Sequence, residues 1–355
     1  MITKFIKKIL LLSILIILLY NGKLMIVEAE TSKNNAILKN GTIIYFNPET
    51  NSRCTTLDYY NNTKNSDAEK NTGCMKWYVF LDDIKSSTLN LLLDHNSSNG
   101  SYWSSTKNLS GPNEALINLK RDTLSWTTKI SSKNNVTNYT YSDATYTINY
   151  DDYHARFITA EEIAKIVGKN WNQKNAFIDS KFYFDTLSNI QPTEYKFGWL
   201  YDRINTHCTN TGCLNNGSKS ISGYWTSSAV SGTNSKAWYI VYTGKLDNGN
   251  VDNRYIAGIR PVIEVEKDSL KQTINVISNH GTVNVISKQY AGSTVNFDIF
   301  PNEHYKLKDV KVIDSNNNEI LIQNRNFIMP EDDVTLIVCF NESFSTSITG
   351  LIPAI

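Results

Sequence analysis

The chain has 355 residues, and its 35 basic and 34 acidic side chains leave a formal net charge of +1. This balance excludes the basic surface expected of a nucleic-acid-binding protein, so no nucleic-acid partner is predicted. The hydrophobic fraction of 41% is large enough to bury a core, which excludes a chain that is disordered throughout, and the length predicts about two domains.

The N-terminal segment has the layout of a secretory signal peptide. Three lysines precede a nearly uninterrupted apolar run from Ile9 to Tyr20, and small residues follow. Because this run is short for a membrane span, residues 1–29 are predicted to be a signal peptide that is cleaved after Ala29. The alternative is an uncleaved signal anchor, which would be the predicted membrane attachment. Both interpretations place the rest of the chain outside the cytoplasm, secreted or associated with the cell surface.

Cysteine spacing in such a compartment predicts disulfide bonds. Cys54 and Cys74 bracket a polar stretch, and Cys208 and Cys213 bracket the turn sequence Thr-Asn-Thr-Gly. We therefore predict the local pairs Cys54–Cys74 and Cys208–Cys213, with the crossed pairing as the alternative and no metal site at these thiols. Cys339 lies in an apolar run and is predicted to be a small core residue.

The positions of the tryptophans divide the chain into regions. All seven lie between Trp77 and Trp238, and none follows residue 268. This break in composition predicts a linker at 30–41, an aromatic-rich domain at 42–268, a smaller β-rich unit at 269–341 and a tail at 342–355.

The aromatic-rich domain is predicted to be α+β, with short strands, long polar loops and two helices. One helix is predicted over residues 112–121, with an inward face formed by Leu116, Ile117 and Leu119. Thr159 and Glu162 have the spacing of a capping box, which predicts the start of a second helix that Gly168 ends.

Three motifs occur in order in the second half of this domain. They are Arg156-Phe-Ile-Thr-Ala-Glu-Glu162, Gly223-Tyr-Trp-Thr-Ser-Ser228 followed by Ala237-Trp-Tyr-Ile240, and Gly258-Ile-Arg-Pro-Val262. They resemble the arginine-led helix entry, the paired tryptophan strands and the closing strand of the C-type-lectin-like domains related to sulfatase-modifying factors. The resemblance implies a C-type-lectin-like domain with few helices, in which residues 42–155 form an N-terminal extension.

The smaller unit is predicted to consist of strands. In the run from Thr294 to Phe300, Val295, Phe297 and Ile299 fall on one face. The unit also contains four motifs, which are, in chain order, Gly281-Thr-Val, Ala291-Gly-Ser-Thr-Val, Pro301 to Leu307, and Phe327 to Thr335. They resemble the internalin-type B repeat, a small β-grasp-like module of secreted bacterial surface proteins. The resemblance implies a spacer or adhesive module.

No complete catalytic arrangement is visible in the sequence. The iron-dependent branch of the lectin-like class needs a His-x3-His-x-Glu arrangement, which none of the five histidines provides. The formylglycine-generating branch needs a cysteine pair near the closing strand, whereas Cys208 and Cys213 lie upstream of Trp225. Asp94 and His95 have no visible serine partner, and His95 is interpreted as a structural residue. The chain is therefore predicted not to be an enzyme. An extracellular enzyme acting on polysaccharide or protein thiols is the alternative.

The segment from Asp247 to Tyr255 is the candidate ligand-binding patch, because loops around the closing strands usually form ligand surfaces in the lectin-like class. The carboxylate and amide oxygens between Asp247 and Asn253 could hold calcium, but a hairpin turn without metal is the favoured interpretation, and no cofactor is predicted. Aromatic rings beside Ser, Thr and Asn suit a rigid binding surface, although Trp225 and Trp238 are expected to build the core. The candidate ligand-binding residues are Asp247, Asn250, Asp252, Asn253, Tyr255 and Tyr224.

These features predict a secreted or surface-associated, adhesin-like binding protein. Its lectin-like domain would recognise a glycan or a protein of the host or cell surface, and its C-terminal repeat would act as a spacer or adhesive module. A structural module of the cell wall without a specific ligand is the remaining alternative.

Overall fold

A computed structural model describes residues 38–61, 73–97, 100–131, 137–184, 196–201 and 223–343. Over these residues the protein is mostly β-sheet, with nineteen strands and four α-helices, which confirms the expected β-rich α+β composition. The predicted signal peptide, the pair Cys208 and Cys213 and nearly all of the predicted tail lie outside the described residues. Within the described part of the chain, no helix is long and apolar enough to cross a membrane.

The strands before residue 268 are β1 (Ile43–Asn47), β2 (Ser52–Arg53), β3 (Met75–Phe80), β4 (Thr88–Leu93), β5 (Thr137–Tyr139), β6 (Thr145–Thr147), β7 (Phe182–Tyr183), β8 (Gly223–Ala229), β9 (Lys236–Val241), β10 (Lys245–Asn250) and β11 (Val262–Glu266). The later strands are β12 (Gln272–Ser278), β13 (Gly281–Val285), β14 (Lys288–Gln289), β15 (Thr294–Pro301), β16 (Tyr305–Asp314), β17 (Glu319–Ile320), β18 (Asn326–Ile328) and β19 (Val334–Glu342). The helices are α1 (Thr56–Asn61), α2 (Asn113–Asp122), α3 (Ala160–Ile166) and α4 (Gly198–Tyr201).

The strands up to the end of β11 form two larger antiparallel sheets. The central sheet has the order β11-β4-β3-β1-β2, and the second sheet has the order β7-β10-β9-β8. The second sheet requires a glycine where β8 meets β9, because an added Cβ at Gly223 would overlap the carbonyl oxygen of Ile240. This glycine opens the first of the two tryptophan strands.

The central sheet is buried on both faces. One face, which carries Trp77 and Leu91, packs against helix α2 and Trp103. The other face, which carries Phe80 and Leu92, packs against helix α3 and the second sheet. Burial on both faces explains why these strands have continuous apolar runs instead of an alternating pattern.

Both predicted helices are present, but the predicted buried face of one of them is partly wrong. At the start of α3, Glu162 N donates to the Thr159 hydroxyl at 3.0 Å, and Thr159 N donates back to the Glu162 carboxylate at 2.9 Å, which confirms the capping box. In α2, Ala115 and Leu119 form the buried face. The inward placement of Ile117 is wrong: its side chain is 63% exposed, because it lies across the helix from that pair.

The C-terminal strands form two sheets around a separate core. Their orders are β14-β12-β19-β16-β17 and β13-β15-β18, and β12 pairs with β19 in parallel. Val295, Phe297 and Ile299 are buried in this core, as the alternation predicted. Cys339 is a correction: it is a half-buried free thiol, because its strand neighbours Val338 and Phe340 take the core positions.

A disulfide bond joins Cys54 to Cys74, which confirms the local pairing over the crossed one for these two residues. The bond lies at the start of a segment that contacts the C-terminal sheets. Arg53 donates to the carbonyl oxygen of Glu331 at 2.9 Å, and the Glu331 carboxylate accepts the backbone N–H of Thr56 at 2.8 Å. The disulfide bond therefore lies beside a contact between the predicted aromatic-rich domain and the smaller β-rich unit.

Candidate functional site

The first half of the predicted ligand loop is part of a β-strand. Residues up to Asn250 belong to β10, which pairs with β9 over six positions, so the loop interpretation is corrected for Asp247 and Asn250. The Asp247 carboxylate is bound by Lys245 Nζ at 2.8 Å and lies 3.7 Å from Lys181 Nζ. Cross-strand pairing overrides the turn-like composition of this stretch. A carboxylate held by two ammonium groups is not free to bind a ligand.

The same strand geometry bears on the calcium hypothesis. Asp247 and Asn250 are three positions apart on a strand, so their side chains point to opposite faces of the sheet and cannot share an ion directly. Across the described parts of the chain, no group of three His, Cys, Asp or Glu side chains is placed to hold a metal ion. Asp247 and Asn250 therefore do not form a shared calcium site.

Tyr224 is a second correction, because its ring is fully buried and cannot contribute to a binding surface. Its hydroxyl donates to the carbonyl oxygen of Leu200 at 2.6 Å. The guanidinium of Arg260 lies over the ring, 5.0 Å from the centroid. Burial raises the pKa of Tyr224 to about 12, which keeps the hydroxyl protonated as a donor. Tyr224 belongs to the core, as do the neighbouring Trp225 and Trp238.

Tyr102, Arg254 and Tyr255 form an exposed cluster beside the end of β10, which we call the tyrosine–arginine surface. Tyr255 and Tyr102 are 60% and 38% exposed. The Arg254 guanidinium lies over the Tyr255 ring, 5.0 Å from the centroid, and Nη2 donates to the Tyr255 hydroxyl at 2.9 Å. The cation–π contact and the hydrogen bond together hold the guanidinium against the ring. Asp252 is exposed next to it, and Asn253 Oδ1 accepts the Tyr255 backbone N–H at 3.0 Å.

The backbone beneath this surface is fixed by the core. Ser101 and Trp103 flank Tyr102, and their backbone N–H groups donate to the carbonyl oxygens of Ala257 and Val251, each at 2.9 Å. The side chains of Trp103, Val251 and Ala257 are buried in the core of the central sheet. The two exposed tyrosines therefore lie on two chain segments that are joined by backbone hydrogen bonds. Each segment also contains residues that are buried in the core.

Arg254 is the cationic element of the surface. The hydrogen bond and charge interaction with Tyr255, followed by the interaction with Tyr102, raise the pKa of Arg254 above its ordinary value. Within the described residues, no carboxylate lies within ion-pair distance of its guanidinium, and Tyr255 is its hydrogen-bond acceptor. The surface thus presents an exposed charged donor.

The two motif arginines have structural roles. Arg156 is buried and donates to Glu162, to Glu264 and to Asn90. Arg260 is also fully buried and donates to four backbone carbonyl oxygens, two at the end of β4 and two in helix α4. The arginines that carry the family resemblance therefore hold the fold together and do not face a ligand.

A buried polar cluster around Asp94 lies at the end of β4. Tyr78 donates to Asp94 Oδ1 at 2.7 Å, Lys76 Nζ lies 3.2 Å from the same atom, and His95 Nδ1 lies 3.8 Å from Oδ2. Burial alone would raise the pKa of Asp94, but the neighbouring His95 and the charge of Lys76 hold it well below its usual range. The ionised carboxylate is thus held in the core by Tyr78 and Lys76 through Oδ1.

Sequence reasoning selected Asp252, Asn253 and Tyr255 but missed Arg254 and left Tyr102 outside the candidate set. Arg254 lies directly before Tyr255 in the sequence, and this proximity to a candidate residue could have indicated it. The contact of Tyr102 with this segment depends on backbone pairing across about 150 residues, which no local pattern indicates.

No family model, no curated protein and no solved structure matches this chain.

Proposed function

We propose that this protein is a secreted or surface-associated saccharide-binding protein, and that it binds through the tyrosine–arginine surface. One observation carries the proposal: the Tyr255 ring is exposed over most of its area while its position is fixed by Arg254 and by the Asn253 side chain. A large, rigid, amphipathic ring loses little conformational entropy on binding, which is why such rings dominate many recognition surfaces.

The chemistry of a sugar fits this arrangement. A pyranose ring has an apolar face of C–H groups and a rim of hydroxyls, so it needs a flat aromatic surface with polar groups at its edge. Tyr255 and Tyr102 supply the rings, and Asp252, Asn253 and Arg254 supply acceptors and donors beside them. Binding sites for small molecules commonly combine aromatic walls with a few placed polar groups.

The resemblances support the wider proposal. The ordered motifs that end at Val262 resemble the C-type-lectin-like class, and those from Gly281 to Thr335 resemble the internalin-type B repeat. We propose that the first region recognises the ligand and that the second acts as a spacer or adhesive module at the cell surface. In this proposal the buried Asp94 cluster is structural and the protein is not an enzyme.

The test is binding of the full chain to an immobilised panel of neutral and acidic oligosaccharides, read out by surface plasmon resonance. Tyr255→Ala is expected to weaken binding at least about tenfold, because an exposed anchor ring is lost. The matched control is Tyr183→Ala: that ring is 53% exposed and also has a cation over it, Lys245 Nζ at 5.3 Å. The control is expected to bind like the parent protein.

Addition of calcium or of a chelator is expected to leave binding unchanged, because the Asp247 carboxylate is held by lysines. Absence of saccharide binding across the panel would overturn the proposal. So would equal losses in Tyr255→Ala and Tyr183→Ala. Saturable binding of a surface protein in place of any saccharide would move the function to protein recognition by the same domain.

A further inference from the structure

We infer that the tyrosine–arginine surface selects saccharides that carry a carboxylate, such as uronic or sialic acid residues, and that Arg254 is the residue that binds this group. This inference rests on the proposed function and specifies its ligand class. A carboxylate is planar and accepts two parallel hydrogen bonds, and the guanidinium fork is the side chain that matches this geometry.

Arg254 has hydrogen-bonding capacity to spare. Its guanidinium carries five N–H donors, and one nitrogen, Nη2, donates to the Tyr255 hydroxyl. No other hydrogen bond of this side chain is made within the described residues, and the side chain is exposed. The contacts with the Tyr255 ring and hydroxyl restrain the Arg254 side chain, so less conformational entropy is lost when an acceptor binds.

Three other arginines of the chain pair with a carboxylate of the protein. Arg53 is paired with Asp333, Arg121 with Asp122 at 2.9 Å, and Arg156 with Glu162 at 2.8 Å. Among these side chains the carboxylate partner comes from the protein itself. At Arg254 the described residues supply none within ion-pair distance, so a ligand carboxylate would complete the same pairing.

The placement beside the rings ties the charge to a sugar. Arg254 lies over Tyr255, and Tyr102 is near enough to raise the pKa of Arg254. A sugar whose ring packs on either tyrosine therefore brings its carboxylate within reach of the guanidinium. Exposed Asp252 repels the same carboxylate, which favours the orientation that points the acid group toward Arg254.

The experiment compares acidic oligosaccharides with their neutral methyl esters, using the full chain and isothermal titration calorimetry. The three matched pairs are tetragalacturonic acid, a hyaluronan tetrasaccharide and sialyllactose, each with its ester. Within a pair the probes differ chiefly in charge. At least one acid is expected to bind about tenfold more tightly than its ester, because a charge-assisted pair is lost on esterification.

Variants assign the effect to the side chain. Arg254→Gln is expected to remove the preference, so that this variant binds the acid and its ester with equal affinity. Arg254→Lys keeps the charge without the fork and is expected to recover part of the preference. The control is Arg121→Gln, an exposed arginine that already has a protein partner, and it is expected to keep the full preference. The preference is also expected to shrink as salt rises from 0.05 to 0.5 M, over which the Debye length falls from about 14 to about 4 Å.

The outcomes separate this inference from the proposed function. If acids and esters bind equally and Tyr255→Ala weakens both, the surface binds saccharides and the inference about Arg254 is overturned. If Arg254→Gln keeps the preference, the inference is overturned as well. If none of the six probes binds but a neutral saccharide of the panel does so through Tyr255, only the inference fails. If no saccharide binds, both fail.

Discussion

The carboxylate of Glu162 is shared between the Arg156 guanidinium and the cap of helix α3. Arg156 donates to both of its oxygens, at 2.8 and 3.0 Å, and the backbone N–H of Thr159 donates to one of them at 2.9 Å. Arg156 also donates to Asn90 at 2.8 Å and to Glu264 at 3.2 Å, on two strands of the central sheet. One buried side chain thus joins a helix start to two strands.

We predict that Arg156→Met lowers the free energy of unfolding by about 3–5 kcal/mol, because it leaves the buried Glu264 carboxylate without its cation. Urea denaturation followed by circular dichroism measures this change. The control is Arg121→Met, which removes an exposed pair with Asp122 and is expected to cost less than about 1 kcal/mol. A loss of similar size in both variants would contradict the structural role assigned to Arg156.

The Cys54–Cys74 bond leads to a second prediction. Replacing both cysteines with serine is expected to lower the free energy of unfolding by about 3 kcal/mol, since the bond closes a loop with a sequence separation of 20 residues. Urea midpoints of the double variant and of the parent protein measure the difference. Cys339→Ser is the matched control, because that thiol is free and half-buried. If the double variant is as stable as the control, the cross-link does not constrain this loop.

Local signals predicted some parts of the fold well. The capping box at Thr159 depends on residues three apart, and the alternation around Phe297 depends on a period of two, so both can be seen in a short window. The loop closed by Cys54 is also short. In each case the interaction partners are near each other in the sequence.

Other parts were set by packing that a local pattern does not contain. Strand β8 is buried on both faces, so nothing in its sequence distinguishes the buried Tyr224 from an exposed tyrosine. The strand that contains Asp247 is rich in Asn and Gly and forms because β9 lies beside it. At the candidate site, Tyr255 was selected from its composition, whereas the partnership with Tyr102 follows from long-range pairing.

The third prediction concerns acid stability and Asp94. Burial raises the pKa of Asp94, but His95, Lys76 and Tyr78 hold it well below its ordinary value of 3.8. The Asp94 carboxylate therefore binds a proton more weakly in the folded state than in the unfolded state. Its stabilisation is fully present above about pH 5 and is lost as pH falls through 3.8 and below.

Asp94→Asn is accordingly expected to be less stable than the parent protein at pH 7 and to lose less stability between pH 5 and pH 2. Urea denaturation across this range measures both effects. Asp179→Asn is the control, because this aspartate is exposed. Parallel pH profiles for Asp94→Asn and the parent protein would mean that Asp94 does not control the acid limb.

Tyr290 gives the last prediction, which concerns how the C-terminal strands are coupled to the rest of the fold. The residue follows β14, yet its ring is buried with Leu270 in the core of the central sheet. Lys271 Nζ lies over the ring, 5.5 Å from its centroid.

The parent protein is therefore expected to unfold as one cooperative unit, with equal calorimetric and van't Hoff enthalpies. Tyr290→Ala removes the shared core residue and is expected to separate two transitions. Ile328→Ala, at an exposed position of β18, is the control and is expected to keep one transition. Two transitions in the parent protein would mean that the C-terminal strands fold independently and that the contact of Tyr290 contributes little to the coupling.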